Sequence, residues 1–233
     1  MFTIRPLIAI TLLALPVCAE ARSEGPTDYG VFADGEQKAS YRIHRSDSDR
    51  CVIEGTLTSS GLLFDGVIRL SSQSQCIDGQ GWRLKHYQES TEVLWQDVII
   101  SQIWVNADHI EYYTGRHSEN QRIPFTEAQR EIGTADSLSV FFAVQDKVRR
   151  GVKSWQMNLV MPGDKAQPPV VERHRFSIGC ANVEPGRSAQ NLVCAQSSGA
   201  EEKRYYWFDP TQDWAFVGSL RGDRLIWRSA SPR

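Results

Sequence analysis

The stretch Lys203–Trp227, KRYYWFDPTQDWAFVGSLRGDRLIW, decides the fold. Seven aromatic residues lie in its 25 positions. Two turn signals, Asp209-Pro210 and Arg221-Gly222-Asp223, divide it into three runs that suit β-strands. Three strands joined by short turns form an antiparallel meander, so the stretch predicts part of a β-sheet. Its aromatic side chains would line either a packed core or a ligand pocket.

Further strand-forming runs fill most of the remaining chain. Ser40–Arg45 alternates polar and apolar residues, as a half-buried strand does. Glu92–Val105 is the most apolar and β-branched run and is too long for one flat strand, so we predict a bulge near Gln96-Asp97 or Ser101-Gln102. The sequence therefore predicts a mainly β fold, either a large curved antiparallel sheet or an incomplete β-barrel.

One helical region is predicted, between Thr126 and Arg150. Thr126-x-x-Gln129 has the capping-box pattern and predicts a first short turn. A second helix, capped by Asp136 or Ser137 and stopped by Gly151, would follow. Its apolar face consists of Leu138, Phe141, Phe142 and Val148, with Gln145 between them. We expect this helix to pack on the concave side or the open end of the sheet; a lid or a partner-binding helix is the alternative.

The first residues have the features of a secretory signal peptide. Arg5 supplies the positive start, and Leu7–Leu15 is an apolar run too short to span a bilayer. Ala19-Glu20-Ala21 is a small-x-small cleavage pattern, so residues 1–21 are predicted to be removed after Ala21 and the protein to be periplasmic. We expect no lipidation at Cys18, because Val17 stands where a lipoprotein signal needs a small residue.

After cleavage we predict a mobile N-terminal segment, 22–38, with a short strand around Tyr29–Phe32, and a single β-rich domain, 39–233. Charges of both signs are interspersed and the formal net charge is −2. That pattern excludes the clustered basic face of a nucleic-acid-binding protein. No second apolar run approaches the length of a transmembrane helix, so we predict no transmembrane segment in the mature chain.

Four cysteines remain after cleavage, and an even number in an exported protein indicates two disulfides. Paired residues of an antiparallel hairpin lie at equal distances from its turn. Cys51 and Cys76 flank the Gly-rich connection between Gly61 and Gly66 in this way. Cys180 and Cys194 are equidistant from Arg187 in the Glu184–Ser188 turn. Of three possible connectivities we therefore predict Cys51–Cys76 and Cys180–Cys194.

No catalytic residue, metal site or cofactor is predicted. The cysteines form no C-x-x-C pair, and the five histidines have no spacing that builds a local metal site. No G-x-S-x-G elbow, phosphate-binding glycine loop or dinucleotide fingerprint occurs. Paired catalytic carboxylates leave no linear motif, so an enzyme stays possible. The histidines are His44, His86, His109, His117 and His174. We place His44, His86 and His174 on polar strand faces.

Aromatic residues provide the best functional clue. Strand alternation places Trp214, Phe216, Gly218 and Leu220 on one face of a strand. Such residues are either core or the wall of an apolar cavity. The candidate ligand-binding residues are Trp207, Trp214, Phe216, Tyr205, Phe141 and Phe142.

The order of elements in the second half, Thr134–Trp227, resembles a bacterial family of exported proteins known as domain of unknown function 3108. The similar parts are the helix TADSLSVFFAVQD, the strands SWQMNLVMPGD and VERHRFSIGC, and the closing meander RYYWFDPTQDWAFVGSLRGDRLIW. A proline usual early in the penultimate strand is replaced here by Trp214-Ala215-Phe216. The resemblance implies a curved antiparallel sheet with a packed helix, and it implies no reaction.

The sequence favours a non-enzymatic periplasmic protein that binds an apolar ligand or a cell-envelope partner. Two other classes stay open. One is a cell-envelope hydrolase or carbohydrate-modifying enzyme, which predicts an open cleft with two acids, or a histidine with an acid, of perturbed pKa. The other is a structural adaptor of an envelope complex, which predicts a large exposed apolar patch.

Overall fold

A computed structural model describes residues 25–46, 51–60, 65–77, 81–93, 96–115, 120–163, 167–180, 191–199 and 202–229. The predicted signal peptide, 1–21, with Cys18 and the cleavage site, lies outside the described residues, as does His117. Among the described residues, no helix is both long enough and apolar enough to cross a membrane.

Strands dominate the described residues. The first eight are β1 Thr27–Ala33, β2 Glu36–Arg45, β3 Val52–Ser60, β4 Asp65–Ile77, β5 Gly81–Val93, β6 Gln96–Val105, β7 His109–Thr114 and β8 Gln121–Pro124. Helix α1 Glu127–Glu131, the short β9 Thr134–Ala135 and helix α2 Val140–Arg149 follow. The remaining elements are β10 Ser154–Met161, β11 Val170–Ile178, β12 Val193–Ser198, β13 Lys203–Asp209, a 3-10 turn Pro210–Gln212, β14 Ala215–Arg221 and β15 Arg224–Arg228.

Twelve strands form a closed barrel. Their order is β4-β3-β2-β1-β15-β14-β13-β12-β11-β10-β9-β5, and the pairing of β5 with β4 closes the circle. Strand β9 is parallel to both β5 and β10, whereas the other pairs are antiparallel. The predicted mainly β fold with a packed helix is confirmed, and the sheet closes completely.

Strands β6, β7 and β8 extend from β5 as a wing outside the barrel circle. A second hydrophobic core, separate from the barrel core, holds this wing in place. It joins Leu84 and Tyr87 of β5 to Ile103 and Ile110 of the wing and to Val160 of β10. The wing therefore packs against the barrel through β10.

Helix α2 fills the inside of the barrel. Its residues are buried on all sides from Val140 to Gln145 and again at Val148, which a helix on a sheet surface would not show. The predicted apolar face is buried as expected, and the opposite faces are buried as well. The surrounding core cluster draws on strands around the barrel, from Tyr29 of β1 to Phe216 of β14.

Side-chain caps organise both helix starts. The predicted capping box at Thr126 is present, with Gln129 as its partner. Before α2, Asp136 Oδ1 accepts hydrogen bonds from the backbone nitrogens of Leu138 and Ser139, at 2.7 and 2.8 Å. Of the two predicted caps, Asp136 therefore organises the turn that leads into the helix, whose N-cap residue is Ser139.

Both predicted disulfides are present. The Cα–Cα distances are 5.8 Å for Cys51–Cys76 and 5.7 Å for Cys180–Cys194, within the usual range. Each links two neighbouring strands, but the registers differ slightly from the hairpin argument, because Cys51 lies opposite Ser74 and Cys194 opposite Gly179. The connections 61–64 and 181–190, on which that argument placed the turns, lie outside the described residues.

Two sequence predictions are corrected. The segment 22–38 was expected to be mobile apart from a short strand around Tyr29–Phe32. That strand is present as part of β1, but from Thr27 the whole segment is ordered into β1 and the start of β2, and β1 is hydrogen-bonded to β2 on one edge and β15 on the other. The run Glu92–Val105 was expected to be one bent strand. It is divided between β5 and β6, whose pairing of Val93 with Gln96 shows that the chain reverses there.

Candidate functional site

A cavity of about 210 Å³ opens at one end of the barrel. It is surrounded by the starts of β1 and β14, the ends of β2 and β15, and helix α2. Its apolar wall consists of Tyr29, Ile43, Phe142 and Phe216. Cavities that hold drug-sized ligands usually measure about 300–1,000 Å³, so this one suits a smaller molecule or the end of a longer one.

Phe216 lies at the centre of the apolar wall. Its ring centroid is 4.5 Å from that of Phe141 and 5.4 Å from that of Tyr29. The Tyr29 hydroxyl donates a hydrogen bond to the Phe216 carbonyl oxygen at 3.2 Å. These contacts join β1, β14 and α2, so the three elements pack together at the wall of the cavity.

Two arginines bring positive charge to the same cavity. The Arg45 guanidinium lies 5.4 Å from the ring centroid of Trp82 and 5.2 Å from that of Phe142, within cation–π range. Arg228 Nη1 donates to Gln212 Oε1 at 3.1 Å. Among the described residues, no acidic side chain lines the cavity. The lining therefore combines an apolar wall with two arginines.

A strained turn positions the β14 side of the cavity. The Asp209 side chain accepts from the Thr211 backbone nitrogen at 2.8 Å and starts the 3-10 turn. Asp213 and Trp214 then both adopt positive φ, 51° and 63°. This left-handed conformation is unfavourable for a bulky residue such as Trp214, which is half-buried against the barrel core. The turn places Ala215 in the lining of the cavity.

The structure separates the six predicted ligand-binding residues. Phe142 and Phe216 line the cavity, and Phe141 stacks behind Phe216. Trp214 packs on the barrel core beside the cavity. Tyr205 and Trp207 lie on the outside of the barrel, because their neighbours Tyr206 and Phe208 belong to the interior cluster.

A bulge explains why strand alternation was wrong for β14. Trp207 pairs with Gly218 but Phe208 pairs with Phe216, so Val217 is an extra residue. Phe216 therefore faces inward, whereas Gly218 and Leu220 face outward, and the predicted shared face does not exist. Outside, the Trp227 ring lies over Gly218 and 5.8 Å from the Trp207 ring centroid.

Sequence reasoning missed most of the cavity lining, including Tyr29, Ile43, Arg45 and Arg228. A signal existed for two of them. Alternation in Ser40–Arg45 places Ile43 and Arg45 on the same strand face, and the structure places both at the cavity. No local pattern indicates that β15 would bring Arg228 to the same place, because that contact depends on barrel closure.

Buried ionisable groups lie outside the cavity. Asp136 is fully buried at the start of α2, and burial raises the pKa of its carboxyl although its hydrogen bonds with Ser72, Leu138 and Ser139 oppose the shift.

His174 was predicted on a polar face and is instead fully buried. Its alternation with Phe176, which belongs to the barrel core, is the signal that the prediction overlooked. Among the described residues, no cluster of three metal-binding side chains occurs.

A closed barrel with an internal helix and a small end cavity defines the class, a β-barrel-like protein. No protein-family model matches the chain, and no curated protein matches it. Among solved structures it is similar to a beta-barrel-like protein of domain of unknown function DUF1849 from Brucella abortus. The TM-score is 0.50 at 9% identity, covering 88% of this chain and 94% of that one. This likeness shows the fold alone, and the resemblance to domain of unknown function 3108 stays a prediction.

Proposed function

We propose that the protein is a non-enzymatic periplasmic binding protein for a small anionic amphiphile. The observation that carries this proposal is the end cavity, whose apolar wall is accompanied by Arg45 and Arg228 and, within the described part of the chain, by no acidic lining residue. The apolar part of the ligand packs against Phe142 and Phe216. Its anionic group lies with the two guanidinium groups, which bind carboxylates and phosphates well.

The periplasmic location rests on the sequence and on the disulfides. Residues 1–21 have the charge, length and cleavage pattern of a signal peptide. Disulfides such as Cys51–Cys76 and Cys180–Cys194 persist in oxidising compartments.

The size of the ligand is limited by the helix. Because α2 and the core cluster occupy the interior, the described residues leave little room along the barrel axis for a long acyl chain. A short alkyl chain, or the last part of a longer one, fits the end cavity. Each methylene that enters contributes about 0.8 kcal/mol, or about fourfold in affinity.

Calorimetry with a series of straight-chain carboxylates of increasing length tests this proposal. We expect affinity to rise about fourfold per added methylene and then to level off when the cavity is full. The alcohol of the same length should bind at least tenfold more weakly, because a charge-assisted hydrogen bond contributes about 1.5–3 kcal/mol.

Three variants connect the binding to the cavity. Ala215→Phe fills the cavity and should abolish binding, and Arg228→Gln should remove the preference for the carboxylate over the alcohol. Arg42→Gln is the control, because Arg42 lies on β2 but pairs with Asp28 on the exposed surface. Equal binding by the wild type and Ala215→Phe, or no chain-length dependence, would refute the proposal.

A further inference from the structure

A second group of buried polar side chains lies at the opposite end of the barrel from the cavity. Strand β14 runs from Ala215, at the cavity, to Arg221, which pairs with Arg204 of β13. A strand of this length spans about 20 Å at the usual rise of about 3.3 Å per residue. The group around Arg204 is therefore separate from the cavity described above.

Three buried polar atoms in this group have no hydrogen-bond partner within the described part of the chain. They are Nδ1 of His174, Oγ of Ser197 and Nε of Arg204. The three residues are 0%, 1% and 7% exposed. Buried polar groups are nearly always hydrogen-bonded in folded proteins. Tyr206 lies beside Ser197 and Arg204, and the three atoms together still offer hydrogen-bonding capacity to a partner that is not part of the chain.

Sheet register brings the three residues together on neighbouring strands. Ser197 of β12 lies directly opposite Arg204 of β13 on one side and Phe176 of β11 on the other. His174 lies two residues from Phe176 on the same strand face. A Cβ atom at Gly199 would lie 2.6 Å from the His174 ring, so glycine is the residue that leaves room for this histidine.

Arg204 is the charged member of the group. Its Nη2 lies 3.1 Å from the sulfur of Met161, which is only a weak acceptor. Among the described residues, no carboxylate lies within ion-pair distance of its guanidinium. Arginine stays charged when buried, and an unpaired buried charge is strongly unfavourable. A bound anion removes this penalty, whereas a water molecule supplies no compensating charge.

His174 determines which anion fits best. Its Nε2 lies 2.8 Å from Glu172 Oε2, and because a carboxylate only accepts, Nε2 carries the hydrogen. Burial lowers the pKa of His174, which keeps the ring neutral, although Glu172 opposes this shift. In a neutral ring Nδ1 is then an acceptor. The partner therefore carries a hydroxyl hydrogen as well as anionic oxygens.

The same residue types also occur in hydrolytic triads, but the arrangement differs. A triad histidine lies between serine and acid at the edge of an accessible cleft. His174 and Ser197 are both closed off from solvent. The geometry thus favours binding of a small group over attack on a substrate.

We propose that Arg204, Ser197 and His174 form a buried binding site for a small oxyanion that carries a hydroxyl group, as hydrogen phosphate does. Arg204 Nε and Ser197 Oγ donate to the anionic oxygens, and His174 Nδ1 accepts from the hydroxyl. The Tyr206 hydroxyl borders the same site: burial raises its pKa, and its interactions with Arg204 and Ser197 partly offset that rise.

Titration of the full-length, phosphate-free protein with inorganic phosphate, followed by calorimetry and by phosphorus NMR, tests the site. We expect one phosphate per chain. Sulfate, which has no hydroxyl group at neutral pH, should bind about tenfold more weakly, since the His174 hydrogen bond is lost. Arg204→Gln should abolish binding. Arg42→Gln is the matched control, because Arg42 lies on β2, is exposed and is paired with Asp28.

Ser197→Ala keeps the proposal testable if Arg204→Gln does not fold. This small change should weaken phosphate binding about tenfold and leave the thermal transition of the phosphate-free protein largely unchanged. The proposal is overturned if the wild type binds no phosphate, if Ser197→Ala binds it as tightly as the wild type, or if a crystal structure grown in phosphate shows only water against these three residues.

Discussion

Phe141 of the internal helix stacks on Phe216 of the barrel wall, with ring centroids 4.5 Å apart and planes inclined by 19°. This pair connects α2 to the strand that forms one side of the end cavity. We expect the two residues to be coupled energetically. In a double-mutant cycle with Phe141→Leu and Phe216→Leu, unfolded in urea, the interaction energy should be about 0.5–1.5 kcal/mol.

Ile110→Val provides the control for that cycle. Ile110 belongs to the second core, beneath the wing, and shares no cluster with Phe141. The free energies of unfolding for Phe141→Leu and Ile110→Val should therefore add within about 0.5 kcal/mol. Additivity for the Phe141 and Phe216 pair as well would mean that the helix is not coupled to the cavity wall.

Gly218 should not tolerate a side chain. A Cβ atom there would lie 2.5 Å from the Ile226 carbonyl oxygen and 2.5 Å from the Trp227 ring. Gly218→Ala should lower the free energy of unfolding by about 1–3 kcal/mol, because backbone as well as ring must move. Gly25→Ala is the control, since no atom lies within 4 Å of its added Cβ. Equal urea midpoints for the two variants would contradict this packing.

Each disulfide should stabilise the barrel by about 3 kcal/mol in the chain-entropy model. The linked cysteines are 25 and 14 residues apart, so the two contributions should be similar. Replacing either pair by serines and measuring urea unfolding tests the magnitude. A non-reducing peptide map tests the pairing, and a peptide that joins Cys51 to Cys180 would refute it.

Asp136 should make stability depend on pH. Burial raises the pKa of its carboxyl in the folded protein above the value of about 3.9 in an unfolded chain. The folded state then binds the proton more tightly, so this contribution is fully present below pH 4 or so and is lost as pH rises through the folded pKa. Urea unfolding across this window, compared with Asp136→Asn, isolates the effect, because the two proteins differ only in this side chain.

Two substitutions at Asp136 separate charge from hydrogen bonding. Asparagine keeps an oxygen for the backbone nitrogens of Leu138 and Ser139, so Asp136→Asn should be tolerated and should flatten the pH dependence. Alanine leaves both nitrogens without an acceptor and should cost at least about 2 kcal/mol. If both variants unfold at the same urea concentration, the capping role of Asp136 is wrong.

Much of the fold could be predicted because its signals are local. The strands were indicated by alternation and turn residues, and the first helix turn by the capping box at Thr126. Both disulfides were predicted because each cysteine pair flanks a predicted hairpin turn. The internal position of α2 was not predictable in the same way. Its sequence has one clear apolar face, and the burial of its first six residues on every side depends on strands that are distant in sequence.

The candidate site was only partly predictable for the same reason. Phe142 and Phe216 stand out as aromatics in periodic elements. The outward direction of Gly218 depends on the single extra residue Val217, which strict alternation does not reveal. Arg228 reaches the cavity only because β15 pairs with β1. Long-range pairing therefore carries the information that local sequence patterns lack.

The pairing of β1 with β15 also sets the order in which this molecule can be completed. During synthesis β1 is made before the other described strands. One of its edges stays without a partner until β15, the last described strand, has been made. An open edge of this kind is a template for association with other chains. A chain that stops after β14 would leave free edges on β1 and β14, so nascent and truncated forms should depend on chaperones that the finished barrel does not need.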